Sequence, residues 1–356
     1  IVKVTRKKMR RQTVDKTVYD GPRELEFFSM PEYEAWRNSL SEGDDIASWK
    51  VKYYKGLGTS TAAEARTYFG DLEKHVIPYS WTGDVDGERL DMAFRKSRAE
   101  DRKQWLGGAM AARRSETYAD RREKRGAVAA ETGGVGGGPL NITATNSPKL
   151  KVSDFVDHEL VLFSQADNLR SIPSAIDGLK PSQRKVLFAC LKRKLDRAGT
   201  AEIKVAQLSG YVSEQTAYHH GEQSLQSTIV NMAQDFMGAN NLPLLYPSGQ
   251  FGTRLQGGKD AASPRYIFTK LMPIVRKLFP QADDSLLEAC EDDGLLVEPA
   301  FYVPVIPLVL VNGSDGIGTG WSTSVPMHNP LDLISWIEER LGGVTEPKTK
   351  LLPWVR

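Results

Sequence analysis

Two cysteines, Cys190 and Cys290, are the only ones in the 356 residues. They cannot form a cysteine-based zinc site or a disulfide framework, and their scarcity favours a reducing, intracellular compartment. The sequence also lacks a signal peptide and any apolar run near the ~20 residues of a membrane-spanning helix. These absences exclude disulfide scaffolds and helical membrane proteins.

Net charge is small as well, only +2 at neutral pH, but the cations are clustered. Residues 95–125 contain eleven Lys or Arg and five Asp or Glu, and residues 170–204 contain nine and three. Two basic segments in a near-neutral chain indicate a polyanionic partner. The alternative is a pair of solvated helix faces.

The first half of the sequence predicts short strands followed by helices. Alternating residues predict strands over Val2–Thr5, Thr17–Tyr19 and Trp49–Tyr54, and a Ser-Met-Pro helix start lies at 29–31. A glycine turn (KGLGTS, 55–60) and a helix reaching Phe69 come next, and residues 87–125 are mostly helical in pattern. Residues 126–149 are glycine-rich and low in complexity, which predicts a linker.

The second half predicts three helices followed by glycine-rich strands, an arrangement typical of winged-helix domains. The helices begin near Pro181, Val205 and Leu225, and the strands are expected at 249–255 and 266–268. Beyond them we expect a helix from Lys270 to Phe279, strands within 297–311 and a tight glycine loop at 312–321. Ile317 is predicted at the crown of this loop, before an amphipathic helix starting at Leu331.

A tyrosine beside an arginine, Arg265-Tyr266, follows the glycine-rich stretch 251–260. Free phenols ionise near pKa ~10, so an unassisted tyrosine is a poor nucleophile at neutral pH. A neighbouring guanidinium can stabilise a phenolate and grip a phosphate oxygen, and tyrosine can form covalent intermediates. The alternative is a buried aromatic residue next to a surface arginine.

Several long motifs, in order, carry a resemblance to a known family. They are WKVKYYKGLGTST, DRKQWL, RSIPSAIDGLKPSQRKVLF, KVAQLSGYVSEQTAYHHGEQSL, QFGTRLQGGKDAASPRYIFT and NGSDGIGTGWST. The chain resembles the DNA-cleavage core of eukaryotic type IIA DNA topoisomerases from about Trp49 to Pro330. The regions 70–90, 126–149 and 192–202 do not follow the family closely.

The resemblance implies an α+β, multidomain fold. Residues 1–85 would be the C-terminal part of a Toprim α/β domain, and residues 86–149 a helical basic segment with a flexible linker. Residues 150–270 would form a winged-helix domain carrying the tyrosine, and residues 271–356 the start of a tower domain. Because Ile1 reads like the middle of a protein, we expect a central fragment.

The resemblance also assigns roles to residues. Tyr266 would attack the DNA backbone, Arg265 would stabilise the transition state, and His220 would contact phosphate or accept the phenol proton. A second set would contact DNA, with Arg184 on the exposed face of its helix and Ile317 wedging between base pairs. This DNA-binding set comprises Arg102, Lys103, Lys180, Arg184, Tyr218, His219 and Ile317.

The implied reaction is transient double-strand cleavage through a 5′-phosphotyrosyl link, strand passage and religation, driven by ATP in the full-length enzyme. Mg²⁺ ligands and the ATP site would lie outside this chain, so we expect the fragment alone to be inactive. Further expectations are a homodimer sharing active sites, double-stranded DNA as partner, no membrane association and a nuclear location. The alternatives are a non-catalytic winged-helix module that binds and bends DNA, and a scaffold that only dimerises.

Overall fold

The computed structural model forms two compact units, Ile1–Gln165 and Ala166–Arg356, which are described separately. The residues that it describes are 2–6, 24–27, 33, 36, 37, 39, 40, 49–54, 60–70, 72, 76–123 (backbone only from 112), 149–197, 199–292 and 295–356. The expected strand at Thr17–Tyr19 and nearly all of the glycine-rich linker lie outside these residues.

The first unit begins with an antiparallel sheet in the order β2-β1-β3, formed by β1 (Val2–Arg6), β2 (Glu24–Phe27) and β3 (Trp49–Tyr53). The first and third strands were predicted from alternation, and both are confirmed. Val4 and Trp49 are buried at the sheet centre and pack against other aromatic rings. Alternation works here because one face of each strand is covered.

Helix α1 (Ala62–Gly70) starts with a capping box, as its Thr-x-x-Glu sequence dictates. The Thr61 amide donates to Glu64 Oε2 at 2.7 Å, and the Glu64 amide donates to Thr61 Oγ1 at 3.2 Å. The Tyr54 hydroxyl also donates to Glu64 Oε1 at 2.6 Å, which ties the helix to the end of β3. The Thr61 amide and this hydroxyl lower the pKa of Glu64 to about 2.

The predicted helical region is confirmed as α2 (Asp84–Phe94), a 3₁₀ turn (Lys96–Arg98) and α3 (Ala99–Glu123). Strands β4 (Tyr79–Ser80) and β5 (Leu150–Lys151) pair in parallel beside it. Asp86 joins these pieces, because its buried carboxylate accepts hydrogen bonds from Thr82 and from the Ser153 amide at 2.7 Å. These bonds, led by that of the Thr82 amide, lower the pKa of Asp86 to about 2.

A continuous helical stretch leads into the second unit. It comprises Val152–Asp154, the π-helical segment Phe155–Leu160 and α4 (Val161–Ser171). Three predicted helices follow: α5 (Pro181–Lys192), α6 (Val205–Gln215) and α7 (Glu222–Ala233). Each buries an aliphatic stripe in one core, whose fully buried members include Leu187, Leu208, Leu225, Ile229, Leu245 and Ile267.

The wing contains less strand than the sequence predicts. Strand β6 (Ile203–Lys204) pairs antiparallel with β7 (Phe268–Thr269), and single bridges join Leu245 to Leu271 and Ser248 to Phe268. The expectation of a strand over 249–255 is wrong, because several of its glycines adopt positive φ and the chain folds into a closed loop with a 3₁₀ turn at Arg254–Gln256.

Two further expectations beyond the wing are also wrong. The helix expected from Lys270 to Phe279 is only α8 (Val275–Leu278), followed by a 3₁₀ turn (Gln281–Ser285). The apolar run at 308–311 is a short helix, α9 (Leu308–Val311), rather than a strand. A short buried apolar run fits either state, and the preceding Pro307 favours a helix start.

Two hairpins and a helix complete the unit. Strand β8 (Ala289–Asp292) pairs with β9 (Leu295–Pro299), and β10 (Ser314–Ile317) pairs with β11 (Ser322–Val325). Helix α10 (Pro330–Leu341) begins where expected, with Asn329 Oδ1 capping the Leu331 amide at 2.9 Å. The proposed four-part division into domains stays a prediction.

Candidate nucleic-acid interface

Tyr266 lies on the surface of the second unit, with 76% of its area exposed. Its neighbour Ile267 is buried at 1%, so the residue beside it is turned outward. Backbone bonds fix this register: the Val205 amide donates to the Ile267 carbonyl at 3.1 Å and the Ala206 amide to that of Pro264 at 3.0 Å. The buried-aromatic alternative is therefore wrong for this residue.

The glycine-rich loop before Tyr266 is pinned from inside. Gln234, at the end of α7, donates through Nε2 to the carbonyls of Phe251 at 2.9 Å and Gly258 at 3.2 Å. Gly258 has φ +80, and a Cβ there would lie 2.3 Å from Gln234 Nε2, so only glycine fits. The loop thus delivers the Arg265-Tyr266 pair from a fixed base.

Asp260 closes the same loop at its mouth. Its two carboxylate oxygens accept hydrogen bonds from the amide and the hydroxyl of Thr253, both at 2.8 Å. These bonds favour the ionised form and lower the pKa of the Asp260 carboxyl.

Most of the residues expected to contact DNA line one cleft of about 480 Å³. The start of α5 supplies Lys180, the end of the α4 helix supplies Arg170, and the hairpin β10–β11 supplies Ile317. The segment between α6 and α7 supplies Tyr218, His219 and His220. Five residues chosen from separate motifs are thereby brought together.

The histidine segment is held by its neighbours. His219 Nε2 lies 3.5 Å from the Asp292 carboxylate of β8, and the rings of Tyr218 and His220 meet edge to face at 5.4 Å. Lys185 from α5 reaches across to donate to the Thr216 carbonyl at 2.6 Å, and its charge is matched by the buried Glu298 at 2.9 Å. The end of α6, and hence the segment after it, is fixed from two sides.

Arg184 is not on the exposed face of α5, and this expectation is corrected. It is only 7% exposed, and its Nε donates to Asp177 at 2.9 Å. Asp177 is fully buried and also accepts the Leu179 and Tyr302 amides, each at 2.9 Å. A buried carboxylate needs such donors, so the guanidinium turns inward and supports the loop before Lys180.

Ile317 is 83% exposed at the end of β10, as the sequence predicts. Its hairpin is seated on the end of α4, where Asn168 Nδ2 donates to the Thr319 carbonyl at 3.0 Å and Thr319 Oγ1 donates to Asp167 at 3.1 Å. Gly318 packs so closely that a Cβ would lie 2.1 Å from Asn168 Oδ1. An exposed apolar side chain is thus mounted on a rigid support.

Arg265 lines a second, larger cleft of about 1040 Å³ rather than the first. The far wall of this cleft is α7, which contributes Gln223, Gln226 and Asn231, and Lys259 lies on the loop side. Both clefts therefore reach the first turns of α7, from opposite sides. Within the described residues, neither the Arg265 guanidinium nor the Lys180 ammonium is held in an ion pair.

The predicted pair Arg102 and Lys103 belongs to the first unit. Arg102 Nη1 donates to the carbonyls of Arg95 at 2.7 Å and Met92 at 3.0 Å, so it satisfies the end of α2. Lys103 forms an exposed ion pair with Glu100 at 3.0 Å, one turn away. Such a pair contributes little stability and is easily exchanged for a phosphate.

Sequence reasoning missed several residues that shape the site. Arg170 lines the first cleft, Asp292 faces His219, and Gln234 pins the glycine loop. Arg170 alone carried a signal, since it opens the quoted motif RSIPSAIDGLKPSQRKVLF within the second basic segment. The other two act across 73 and 24 residues of sequence, from which no spacing rule reaches them.

The described residues contain no group of three or more His, Cys, Asp or Glu that could hold a metal ion. They therefore do not fit the Mg²⁺ site that the resemblance implies. None of their helices is long and apolar enough to cross a membrane.

Comparison with protein-family models decides the family. Residues 170–356, more than half of the chain, match the model for the A-type polypeptide of DNA gyrase/topoisomerase IV. The chain belongs to this family. Residues 1–168 match the C-terminal associated domain of TOPRIM, which confirms the Toprim-related first part.

Curated relatives of this gyrase and topoisomerase family agree. The chain is 50% identical over 336 residues to DNA topoisomerase 2 top-2 of Caenorhabditis elegans, covering 94% of the chain and 20% of the relative. It is 48% identical to DNA topoisomerase 2 of Arabidopsis thaliana (93% and 20%) and 51% identical to the mitochondrial enzyme of Dictyostelium discoideum (93% and 23%). The chain spans about a fifth of the length of these relatives.

A solved structure of the family matches the fold. The DNA-binding, cleavage and re-ligation domain of Plasmodium falciparum topoisomerase II superposes with a TM-score of 0.71 at 43% identity, covering 100% of this chain and 42% of that one. The expected α+β fold class, with the end of a Toprim domain, a winged-helix domain and the start of a tower domain, is confirmed.

Proposed function

We propose that this chain is the DNA-cleavage part of an ATP-dependent DNA topoisomerase II, with Tyr266 as its nucleophile. The observation that carries the proposal is the exposure of Tyr266 on a loop whose base is fixed, beside Arg265, which forms no ion pair with any described residue. A structural tyrosine would be packed or hydrogen-bonded through its ring, whereas a nucleophile has to be accessible.

In the proposed step, the Tyr266 oxygen attacks a backbone phosphorus and the bond from phosphorus to the 3′ oxygen breaks. The phenol proton passes to His220, and the departing 3′ oxygen takes up a proton. Arg265 offsets the charge that develops on the phosphate oxygens. The product is a 5′-phosphotyrosyl link, and attack by the 3′ hydroxyl reverses the step and reseals the strand.

Binding would rest on the first cleft. Lys180, Tyr218 and His219 would contact phosphates there, giving affinity without sequence reading. Ile317 would insert between base pairs and bend the duplex, a cost of a few kcal/mol that added contacts offset. Arg184 would act from below, by holding the loop before Lys180.

In the first unit, Arg102 and Lys103 would add phosphate contacts. The Arg102 guanidinium keeps donors beyond the Nη1 group that caps α2, and Lys103 can leave its exposed partner Glu100.

Passage of a duplex requires two active sites, ATP and Mg²⁺, and we propose a homodimer that uses both in the nucleus. The metal ligands would come from acidic residues other than those described, so no step is assigned to the metal here. A tagged full-length protein imaged in cells tests the location, since one relative is named mitochondrial.

The test is a chimera in which this chain replaces the matching 336 residues of the C. elegans relative. With DNA, Mg²⁺ and ATP, a salt-resistant covalent complex should survive denaturation and should disappear in Tyr266→Phe. An adduct that persists in Tyr266→Phe refutes the nucleophile. Bending of DNA without any adduct would favour the non-catalytic alternative, and the chain alone should fail to relax supercoiled DNA.

A further inference from the structure

The second basic segment, 170–204, serves two different places. Lys180 and Arg170 line the first cleft, whereas Arg193, Lys194 and Arg197 follow the other end of α5. The 12 residues of α5 separate the two ends by about 17 Å. The cations beyond α5 therefore remain unexplained by the cleft.

These cations lie beside the strand that leads away from Tyr266. The carbonyl of buried Leu195 accepts the Leu271 amide at 3.3 Å, which joins the loop after α5 to the end of the wing. Lys204 stands opposite Phe268 in the β6–β7 pair, and Lys270 follows one residue after β7. We call Arg193, Lys194, Arg197, Lys204 and Lys270 the wing-base surface.

Aromatic rings hold three of these side chains in place. The Arg193 guanidinium lies 4.8 Å from the centre of the Tyr211 ring, Lys270 Nζ lies 5.4 Å from that of Tyr246, and Lys204 Nζ lies 5.8 Å from that of Phe268. Cations fixed over ring faces lose less conformational freedom when they bind a ligand. The surface is thus organised before any partner arrives.

Little negative charge offsets the surface. Glu202 pairs with Lys270 at 3.6 Å, and Asp196 is occupied by Arg276 at 2.9 Å. Within the described residues, Arg193, Arg197 and Lys204 form no ion pair. Exposed cations of one sign, spaced along a strand edge, fit the repeated charge of a phosphodiester backbone.

We propose that the wing-base surface binds the duplex on one side of the phosphate attacked by Tyr266. The inference rests on the proposed function and extends it. Four residues separate Tyr266 from Lys270, so their Cα atoms lie within about 14 Å, the length of about four base pairs. The occupant is the flanking part of the cleaved duplex rather than a second duplex.

The first test is a salt titration of duplex binding by the full chain. The triple variant Arg193→Gln, Arg197→Gln, Lys204→Gln should make the slope of log affinity against log salt shallower by about 2.7, or about 0.9 per lost phosphate contact. The matched variant Lys277→Gln, Lys348→Gln, Lys350→Gln removes the same charge from other exposed positions and should leave the slope near that of the wild type.

The second test maps the DNA directly, at one duplex per chain. In a Cys290→Ser background, an iron chelate attached at Ala201→Cys should cut the duplex, and one attached at Glu346→Cys should cut it far less. Equal slopes for the two triple variants, or no excess cutting from position 201, overturn the inference. If Lys180→Gln still weakens binding in that case, the proposed function stands without it; if the wild type binds no duplex, both fall.

Discussion

Arg184 and Asp177 form a buried ion pair, with Nε and Oδ2 2.9 Å apart, beneath the loop that carries Lys180. The carboxylate also holds the Tyr302 amide, so one side chain joins α5, the loop before it and the chain after β9. A cation that the sequence assigned to the surface is instead part of the scaffold of the site.

Arg184→Met should therefore destabilise the protein by about 3–5 kcal/mol, because it leaves the Asp177 carboxylate buried without its cation. Urea unfolding of the second unit is the measurement. Lys348→Met, at an exposed position, is the control and should change stability by less than about 0.5 kcal/mol. A loss below about 1 kcal/mol for Arg184→Met would show that the pair is not needed.

Asp86 makes stability depend on acid pH. Its pKa of about 2 in the folded chain lies below the ~3.9 of an unfolded aspartate, so its contribution is complete above pH ~4. That contribution is lost as the pH falls through the folded value. The urea midpoints of wild type and Asp86→Asn should differ by a constant amount above pH 5 and converge between pH 4 and 2. A difference that does not vary with pH would contradict this role.

Two glycine substitutions should act in opposite directions. Gly318→Ala places a Cβ 2.1 Å from Asn168 Oδ1 and should cost about 1–3 kcal/mol through displacement of the hairpin. Gly210→Ala lies inside α6 with nothing within 4 Å of the new Cβ, and it should stabilise by about 0.5–1 kcal/mol. Thermal melts of both variants test the pair of signs.

Ile317→Ala should abolish bending of DNA while leaving the fold unchanged, because the side chain is largely exposed. The measurement is energy transfer between dyes at the two ends of a bound duplex, alongside a thermal melt. Leu255→Ala removes an equally exposed apolar side chain from the glycine loop and should leave the bend intact. Equal bending by Ile317→Ala and wild type would exclude the wedge.

Much of the architecture was readable from local sequence. Alternation gave β1 and β3, Thr61 and Glu64 marked the start of α1, and Pro181 marked that of α5. These signals are reliable because each depends on groups within a few residues of one another. The run at 308–311 was misread, since a four-residue apolar segment has no period that separates helix from strand.

By itself, the sequence determined the family motifs, the Arg265-Tyr266 pair and the exposed position of Ile317, since these depend on residue type and short spacing. Only the tertiary structure decided which cations face solvent. Arg184 turns inward because Asp177, seven residues earlier, is buried and needs a charged donor, while Arg193 is brought to the wing because Leu195 is anchored to Leu271. Burial and long-range pairing set the free energy of a charge, and neither is encoded at the position of the charge itself.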